Sequence, residues 1–292
     1  MDELDGVILV ISCYKYLVPR VINNPYRLKG DSIAGWKIIY VVGDNTLNTD
    51  YCIGYERRIK SNLLILKCQD DYIHLFKKVV FAQQFVSKMY IIKKGIIKCD
   101  DDILFNKKLL YKYLSSPLDI DFSAKRYDDK CFKTPGPECC SELKRDSTIP
   151  QYFRKNAQHW NNLPKEIKAK IDKYMYRGYI NFPKSPEGYG GSGGVYFLST
   201  KASKIIIEYF AKCNYDLFFE EENGAFPFIA EDVGTAFILC KNKIPFTLNN
   251  NLYSHIAWKV NENMDLAMAF HTHIHGQPLG ALPPKVINLL SD

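Results

Sequence analysis

Over roughly the first hundred residues, unbroken apolar runs alternate with stretches of helical periodicity. Residues 6–12 (GVILVIS) are apolar until they end in small and polar side chains, the pattern of a parallel strand buried on both faces. Residues 36–42 (WKIIYVV) repeat that pattern and run into Gly43-Asp44-Asn45, a turn signal. Residues 63–66 predict a third strand. Between residues 71 and 89 the apolar positions are Ile73, Phe76, Val79, Val80, Ala82 and Val86, the spacing of one helix face. Residues 95–99 (GIIKC) predict a fourth strand, which leads directly into Asp100-Asp101-Asp102. Strands alternating with helices imply an α/β fold with an open, mostly parallel central sheet flanked by helices.

The pattern changes over residues 114–186, where Pro135-Gly136-Pro137, three cysteines and mixed charged and aromatic stretches predict a less regular insertion beside the site. Within it, residues 164–176 have the composition of a helix with proline at its start. Beyond it, Gly190-Gly191-Ser192-Gly193-Gly194 precedes a strand at 195–198. Ser199 or Thr200 then caps a helix reaching Phe210. A further helix starts near Glu231-Asp232, and residues 245–248 predict a last strand.

Composition adds limits rather than an answer. The 292 residues are 47% apolar, enough for a large core, and 14% aromatic, with 20 Tyr and 17 Phe, which suits a binding cleft. The net charge of +7 is carried by scattered lysines such as Lys77-Lys78, Lys93-Lys94 and Lys107-Lys108. No basic block stands out, so nucleic acid is not expected as a partner. The start, Met1-Asp2-Glu3-Leu4-Asp5, is acidic, and the apolar run 7–11 is too short for a signal peptide. No run approaches the ~18 apolar residues of a membrane helix, so no membrane span is expected. Nine cysteines without regular spacing, and no Asn-x-Ser/Thr site, fit a soluble chain in a reducing cytoplasm. Cys131, Cys139 and Cys140 lack the fourth ligand of a zinc site. Oligomeric state is not legible.

Four local features carry chemistry. In Lys98-Cys99-Asp100-Asp101-Asp102-Ile103, three adjacent carboxylates repel one another at a strand end, a poor structural choice unless a cation joins them. In extended chain Asp100 and Asp102 would share a face, at the carboxyl edge where open α/β sheets bind ligands. Hard carboxylate oxygens suit Mg²⁺ or Mn²⁺ shared with phosphates, whereas a solvated acidic turn is the plainer alternative. The second feature, Gly188-Tyr189-Gly190-Gly191-Ser192-Gly193-Gly194, calls for positive φ or close backbone approach, or is simply a hinge. It is neither a dinucleotide fingerprint nor a P-loop. The third, Glu231-Asp232-Val233-Gly234, is either an ordinary helix start favoured by the helix dipole or a general base at a cleft. The fourth, His271-Thr272-His273-Ile274-His275, places half of the six histidines within five residues. These are metal-ligand candidates or solvated loop residues.

In order and spacing these features resemble glycosyltransferase family 31, which includes β-1,3-galactosyl- and N-acetylglucosaminyltransferases and Fringe-like enzymes. The D-x-Y-x-x-L-x-x-K pattern reads Asp70-Asp71-Tyr72-Ile73-His74-Leu75-Phe76-Lys77-Lys78. The K-x-D-D-D-x-x-x-N pattern reads Lys98 to Asn106. The glycine segment is similar over Ser192-Gly193-Gly194-Val195-Tyr196-Phe197-Leu198-Ser199, and the E-D-V-x-x-G box over Glu231-Asp232-Val233-Gly234-Thr235-Ala236, with its final Gly replaced. The family's early R-x-x-x-R-x-T-W stretch is not recognisable here beyond Arg27 and Trp36. The resemblance covers residues 60–240, and four boxes in order are far more specific than any one.

The resemblance implies a single GT-A-type catalytic domain over residues 1–292. Residues 1–110 would be the nucleotide-sugar half, 111–186 the insertion and 187–292 the acceptor side. It implies inverting, UDP-sugar-dependent transfer of galactose, N-acetylglucosamine or glucose to a hydroxyl of a glycan or glycoprotein, with β-1,3 linkage. The implied cofactor is Mn²⁺, or Mg²⁺, held by Asp102 with Asp100 and His271 or His273. Asp232 would be the catalytic base. Asp100, Asp101, Ser12, Asp70 and Lys78 would bind the donor, while Tyr189, Gly193, Gly194 and Glu231 would form the substrate loop. Two other classes are weighed against this. A metal-dependent hydrolase would release phosphate without an acceptor, and a non-catalytic glycan-binding module would need neither metal nor both Asp102 and Asp232.

Overall fold

The structure is a computed structural model that describes residues 1–126, 157–169, 191–221, 226–255, 264–274, 277–278 and 282–291. Its elements are β1 (Asp2–Ile11), α1 (Tyr14–Tyr16), a π-helical turn (Leu17–Ile22), β2 (Ser32–Ile33), β3 (Trp36–Gly43), β4 (Tyr51–Glu56), β5 (Ser61–Leu66), α2 (Leu75–Met89), β6 (Tyr90–Asp100), β7 (Ile103–Phe105), α3 (Lys107–Ser115), β8 (Phe122–Arg126), α4 (Ala157–Asn162), β9 (Gly191–Ser199), α5 (Thr200–Lys212), α6 (Glu231–Lys241), β10 (Phe246–Leu248), β11 (Ser254–His255), β12 (Ala269–His271), β13 (His273–Ile274), β14 (Gln277–Pro278) and α7 (Pro284–Ser291).

The main sheet has the order β10-β8-β9-β6-β1-β3-β5-β4, with β2 against β3. Strands β6, β1, β3 and β5 are mutually parallel, which is the centre predicted by the apolar runs. Antiparallel neighbours flank that centre: β9 lies between β6 and β8, and β4 closes the far edge on β5. The alternation of side chains divides the core. Ile8 and Val10 of β1 join Trp36, Phe197, Leu110 and Leu114 on one face. Val7, Leu9 and Ile11 join Val79, Ala82 and Val86 of α2 on the other. Toward β9 that second face continues into the aromatic-rich packing of α5 and α6, around Phe76, Phe210 and Phe228.

Several boundaries move from their predicted positions for physical reasons. α2 starts at Leu75 because Asp71 Oδ1 accepts from the His74 N–H at 2.9 Å, closing a turn ahead of the helix. β6 starts at Tyr90 because residues 90–94 keep an alternating exposed and half-buried pattern that short apolar scanning overlooks. At the kink of β6, a Cβ on Gly95 would come within 2.2 Å of the Leu198 carbonyl, so only glycine lets β9 approach there. Ser199 is the cap of α5, its hydroxyl accepting from the Ala202 N–H at 3.1 Å. Residues 165–169 are helical, in line with the helix expected after Pro164; its remainder, Tyr189 and the three cysteines at 131, 139 and 140 lie outside the described residues. The six described cysteines are free thiols. Among the described residues no helix is long and apolar enough to cross a membrane.

A small second sheet, β11-β12-β7, sits at the carboxyl end of β6. Its antiparallel pairing sets His271 opposite Ile103, beside the acidic turn. Leu104 and Phe270 of this sheet pack against Val286 and Leu290 of α7. The parallel register aligns Ile11 with both Val41 and Asp100. Ser12, Gly43 and the three carboxylates therefore share one edge of the sheet.

Candidate active site

The donor-side candidates form a chain of contacts along that edge. The Ser12 hydroxyl donates to Asp101 Oδ2 at 2.7 Å, and the Ser12 carbonyl accepts from Lys78 Nζ at 2.6 Å. Lys78, almost fully buried on α2, also donates to Asp70 Oδ1 at 2.7 Å. Asp70 in turn accepts the N–H groups of Gly43 at 2.8 Å and Tyr14 at 2.7 Å. Asp70, Lys78, Ser12 and Asp101 thus come together and fix the ends of β1, β3 and α2. On the far side of Asp70 opens a hollow of about 750 Å³. Tyr14, Asp44, Asp70 and His74 give it a polar wall, facing Leu163 and Phe218. Its size is that of a small-molecule site. A smaller hollow of about 390 Å³ between α2 and α5 holds none of the candidate residues.

The acidic turn departs from the extended alternation expected for it. The strand stops at Asp100, and Asp101 and Asp102 occupy a turn. Arg20, on the π-helical turn and stacked 3.7 Å over the Tyr16 ring, donates to Asp101 Oδ1 at 3.1 Å and to Asp102 Oδ2 at 3.4 Å. Asp100 is instead engaged by Lys98 at 2.6 Å. Burial raises the Asp101 carboxyl above its ordinary value, against the pull of Arg20 and Ser12. Burial, then the charges of Asp100 and Asp101, push Asp102 up to about 7. Burial first, and neighbouring carboxylates second, thus disfavour ionisation of the turn.

His271 reaches this turn. Its Nε2 lies 3.4 Å from Asp102 Oδ1. The N–H and hydroxyl of Thr272 both donate to the Asp102 carbonyl, at 3.0 and 2.7 Å, clamping the two segments together. His273 falls one residue beyond, in β13, paired with Pro278. Among the described residues no group of three or more His, Cys, Asp or Glu is placed to hold a metal ion. Asp102 and His271 are instead a pair of donors, one hard oxygen and one imidazole, that could hold a divalent ion.

The acceptor-side candidates meet the same turn from across β9. Gly193 and Gly194 lie within β9 rather than in a loop ahead of it, and neither has positive φ. Their requirement is close approach. A Cβ on Gly193 would sit 3.2 Å from Asp232 Oδ2 and from Glu231 Oε2, and one on Gly194 3.0 Å from the Tyr253 ring. The Gly193 N–H donates to Asp232 Oδ2 at 3.2 Å, and the Val233 N–H to Asp232 Oδ1 at 2.8 Å. Asp232 is half-buried in the first turn of α6, where the helix dipole favours its charge. Glu231 is buried, accepting from Lys98 Nζ at 3.1 Å and, through its other oxygen, from the Tyr196 hydroxyl. Burial, opposed by Lys98, pushes Glu231 up to about 7. Burial and the charges of Asp100 and Asp232 together raise the Tyr253 phenol, which places both carboxylates in the neighbourhood of one ring.

The sequence matches the galactosyltransferase family over residues 27–220, more than half of the chain. The chain belongs to the galactosyltransferase family. The match includes Asp70, Lys78, the acidic turn, Gly193 and Gly194. It stops short of Glu231, Asp232 and His271, so within this galactosyltransferase-family chain their places rest on geometry. Among solved structures, the glycosyltransferase GlyE of Streptococcus pneumoniae TIGR4 is similar in its apo form at 11% identity and a TM-score of 0.47, covering 99% of this chain and 60% of that one. A second GlyE structure gives 11% identity and a TM-score of 0.44, covering 98% and 60%. The chain thus spans about three fifths of those structures' length. No curated protein matches it.

Sequence reasoning missed Arg20, Tyr196, Tyr253 and any role for Lys98. Arg20 is isolated in sequence, so nothing near it marks a site. Lys98 carried a signal. It is a lysine on the apolar face of a buried strand, in IIKCD, where a charged side chain needs partners.

Proposed function

We propose that this galactosyltransferase-family chain transfers a hexose (galactose, N-acetylglucosamine or glucose) from a UDP-sugar to a hydroxyl of a glycan or glycoprotein. The transfer would be inverting, with β-1,3 linkage. The observation that carries this reading is the link through Gly193 between two carboxylates more than a hundred residues apart: Lys98 joins Asp100 to the Gly193 carbonyl, and the Gly193 N–H donates to Asp232.

The hollow beside Asp70 fits the nucleoside, bounded by Tyr14, Asp44 and His74. Ser12, Asp70, Lys78 and Asp101 hold the strand ends against it. Asp102 and His271 would hold Mn²⁺, or Mg²⁺, with Asp100 close by. When bound, the ion supplies positive charge that stabilises the departing diphosphate. Arg20 already faces Asp101 and Asp102, and offers its guanidinium to the same anion. Asp232 takes the proton of the acceptor hydroxyl. The acceptor oxygen then bonds to the anomeric carbon while the sugar–phosphate bond breaks, and its electron pair leaves with UDP. A positioned carboxylate base contributes ~10²–10⁴-fold to such a step. One displacement inverts the anomeric centre, so no side chain needs to form a covalent intermediate. Gly193 and Gly194 keep the wall thin between base and donor.

The test is thermal stability with UDP-galactose, UDP-N-acetylglucosamine and UDP-glucose, each with and without Mn²⁺. Binding to the native state raises Tm by mass action. A rise that needs both UDP-sugar and Mn²⁺, and that Asp102→Ala removes, is the expected result. No rise with any of them would leave the reading without its donor.

A further inference from the structure

Lys98 is 1% exposed, and its ammonium meets three acceptors on three segments of the chain. These are Asp100 Oδ1 at 2.6 Å, the Gly193 carbonyl at 2.5 Å and Glu231 Oε2 at 3.1 Å. An ammonium has three protons to donate, so these contacts exhaust it and fix its position. Each acceptor adjoins a residue of the proposed chemistry. Asp100 opens the acidic turn. Gly193, held by Lys98 through its carbonyl, holds Asp232 through its N–H at 3.2 Å. Glu231 immediately precedes Asp232 at the start of α6, and its other oxygen is taken by Tyr196.

A strand core does not need this arrangement. An apolar side chain of similar length would fill the same space without the desolvation cost of a buried charge. Burial acts to lower the Lys98 ammonium's affinity for its proton, but Asp100 and Glu231 outweigh it and keep the charge in place.

We infer that Lys98 is a positioning residue for glycosyl transfer, one buried ammonium that sets the acidic turn and the Asp232 base at a fixed separation. The inference rests on the proposed transferase reading. Lys98 reaches Asp232 by two routes, the Gly193 main chain and Glu231, so its loss lets the base drift while the donor side keeps Asp70, Lys78 and Ser12. Small displacements of a base are costly to rate, with ~10²-fold losses for about 1 Å.

The experiment uses the full chain as wild type, Lys98→Met, Lys98→Arg, Glu231→Gln and Lys98→Met/Glu231→Gln. Three quantities are read: Tm, the affinity for UDP with Mn²⁺ by calorimetry, and kcat for UDP release from UDP-galactose with N-acetylglucosamine as acceptor. In Lys98→Met, kcat is expected to fall ~10²-fold while UDP–Mn²⁺ affinity changes by less than ~10-fold. Lys98→Arg is expected to recover part of kcat. Adding Glu231→Gln to Lys98→Met is expected to cost little more, because the two act as one unit. Should Lys98→Met not fold, Lys98→Arg and Glu231→Gln carry the same split between kcat and UDP–Mn²⁺ affinity. A folded Lys98→Met with kcat within about threefold of wild type would overturn the inference, as would losses that add fully with Glu231→Gln. A wild-type chain that neither binds UDP with Mn²⁺ nor releases UDP removes the transferase reading, and the inference with it.

Discussion

The acidic turn after β6 and the first turn of α6 each bring carboxylates into the interior, and they treat those carboxylates differently. At the acidic turn Asp101 and Asp102 are both buried and share Arg20, with the contact to Asp102 at 3.4 Å. Asp102 is pushed up to about 7, mainly by burial and then by its neighbours. At α6 the two adjacent carboxylates divide the work. Glu231 is fully enclosed by Lys98 and Tyr196, while Asp232 is half-buried and accepts main-chain N–H groups of Gly193 and Val233. The turn crowds its carboxylates with one shared guanidinium. The helix start is arranged to fix one carboxylate so that its neighbour points at a thin glycine wall. Buried, crowded carboxylates and a half-buried carboxylate held by main-chain N–H groups are thus two different electrostatic settings.

The largest expected effect tests the division within α6. Asp232→Asn should lower kcat ~10²–10⁴-fold. Its Tm should stay within about 2 °C of wild type, because little packing changes. Glu231→Gln should instead lower Tm, with a smaller fall in kcat because it loosens the base rather than removing it. It leaves Lys98 facing a neutral amide, at a cost of about 1–3 kcal/mol. Calorimetric Tm and steady-state kcat on both variants decide the matter: a stable, inactive Glu231→Gln beside an active Asp232→Asn would reverse the two roles. Next in size is Gly193→Ala. Its methyl would meet Asp232 Cβ and Oδ2 and Glu231 Oε2 at 3.2 Å, so those groups must give by a few tenths of an ångström. Transfer should fall ~10-fold with UDP–Mn²⁺ affinity intact. A parallel loss of UDP–Mn²⁺ affinity would mean that the wall belongs to the donor side.

The acidic turn is probed by pH. A proton on Asp102 competes with a metal ion, so Mn²⁺ affinity in the presence of UDP should weaken ~10-fold for each pH unit below about 7. Calorimetric titration of Mn²⁺ and UDP at several pH values reads this directly. A flat profile between pH 5.5 and 7.5 would show that Asp102 does not ligate the ion.

The same contrast explains what the sequence made legible. The parallel centre was readable because β1, β3 and β6 are continuous apolar runs buried on both faces, a pattern no surface element shares. β4 was not, since its YCIGYE is mostly exposed and gains its place from pairing with β5. Asp100–Asp102 and Glu231-Asp232 were found because adjacent carboxylates are conspicuous in one dimension. Arg20 was missed because its role arises only when the π-helical turn folds back over the end of β6, 81 residues away in sequence. Glycine content alone points to a loop at Gly193 and Gly194. They form a strand because close approach to Asp232 and Tyr253, rather than positive φ, is what excludes side chains there. The place of His271 beside the acidic turn follows from the pairing of β12 with β7, which periodicity does not encode.

The smallest expected effect concerns stability without metal. The folded-state affinity of Asp102 for its proton is raised from an ordinary carboxylate value to about 7, and that of Glu231 likewise. Between about pH 4 and pH 7 the folded chain therefore holds protons that the unfolded chain has released. The stability these two groups contribute is complete below about pH 4 and is lost as pH rises through about 7. The Tm difference between wild type and Asp102→Asn should accordingly move against wild type from pH 5.5 to pH 8, by roughly a few degrees for a chain of this size. Mn²⁺ with UDP should remove that deficit at pH 8, since a bound cation supplies the charge that the proton supplied at pH 5.5. The same scan on Glu231→Gln should show no rescue by Mn²⁺ and UDP, because Lys98 and Tyr196 enclose that carboxylate whether or not the turn is occupied. If ligand rescued both variants' comparisons equally, the turn and the helix start would be one electrostatic unit, and the contrast between them would have to be given up.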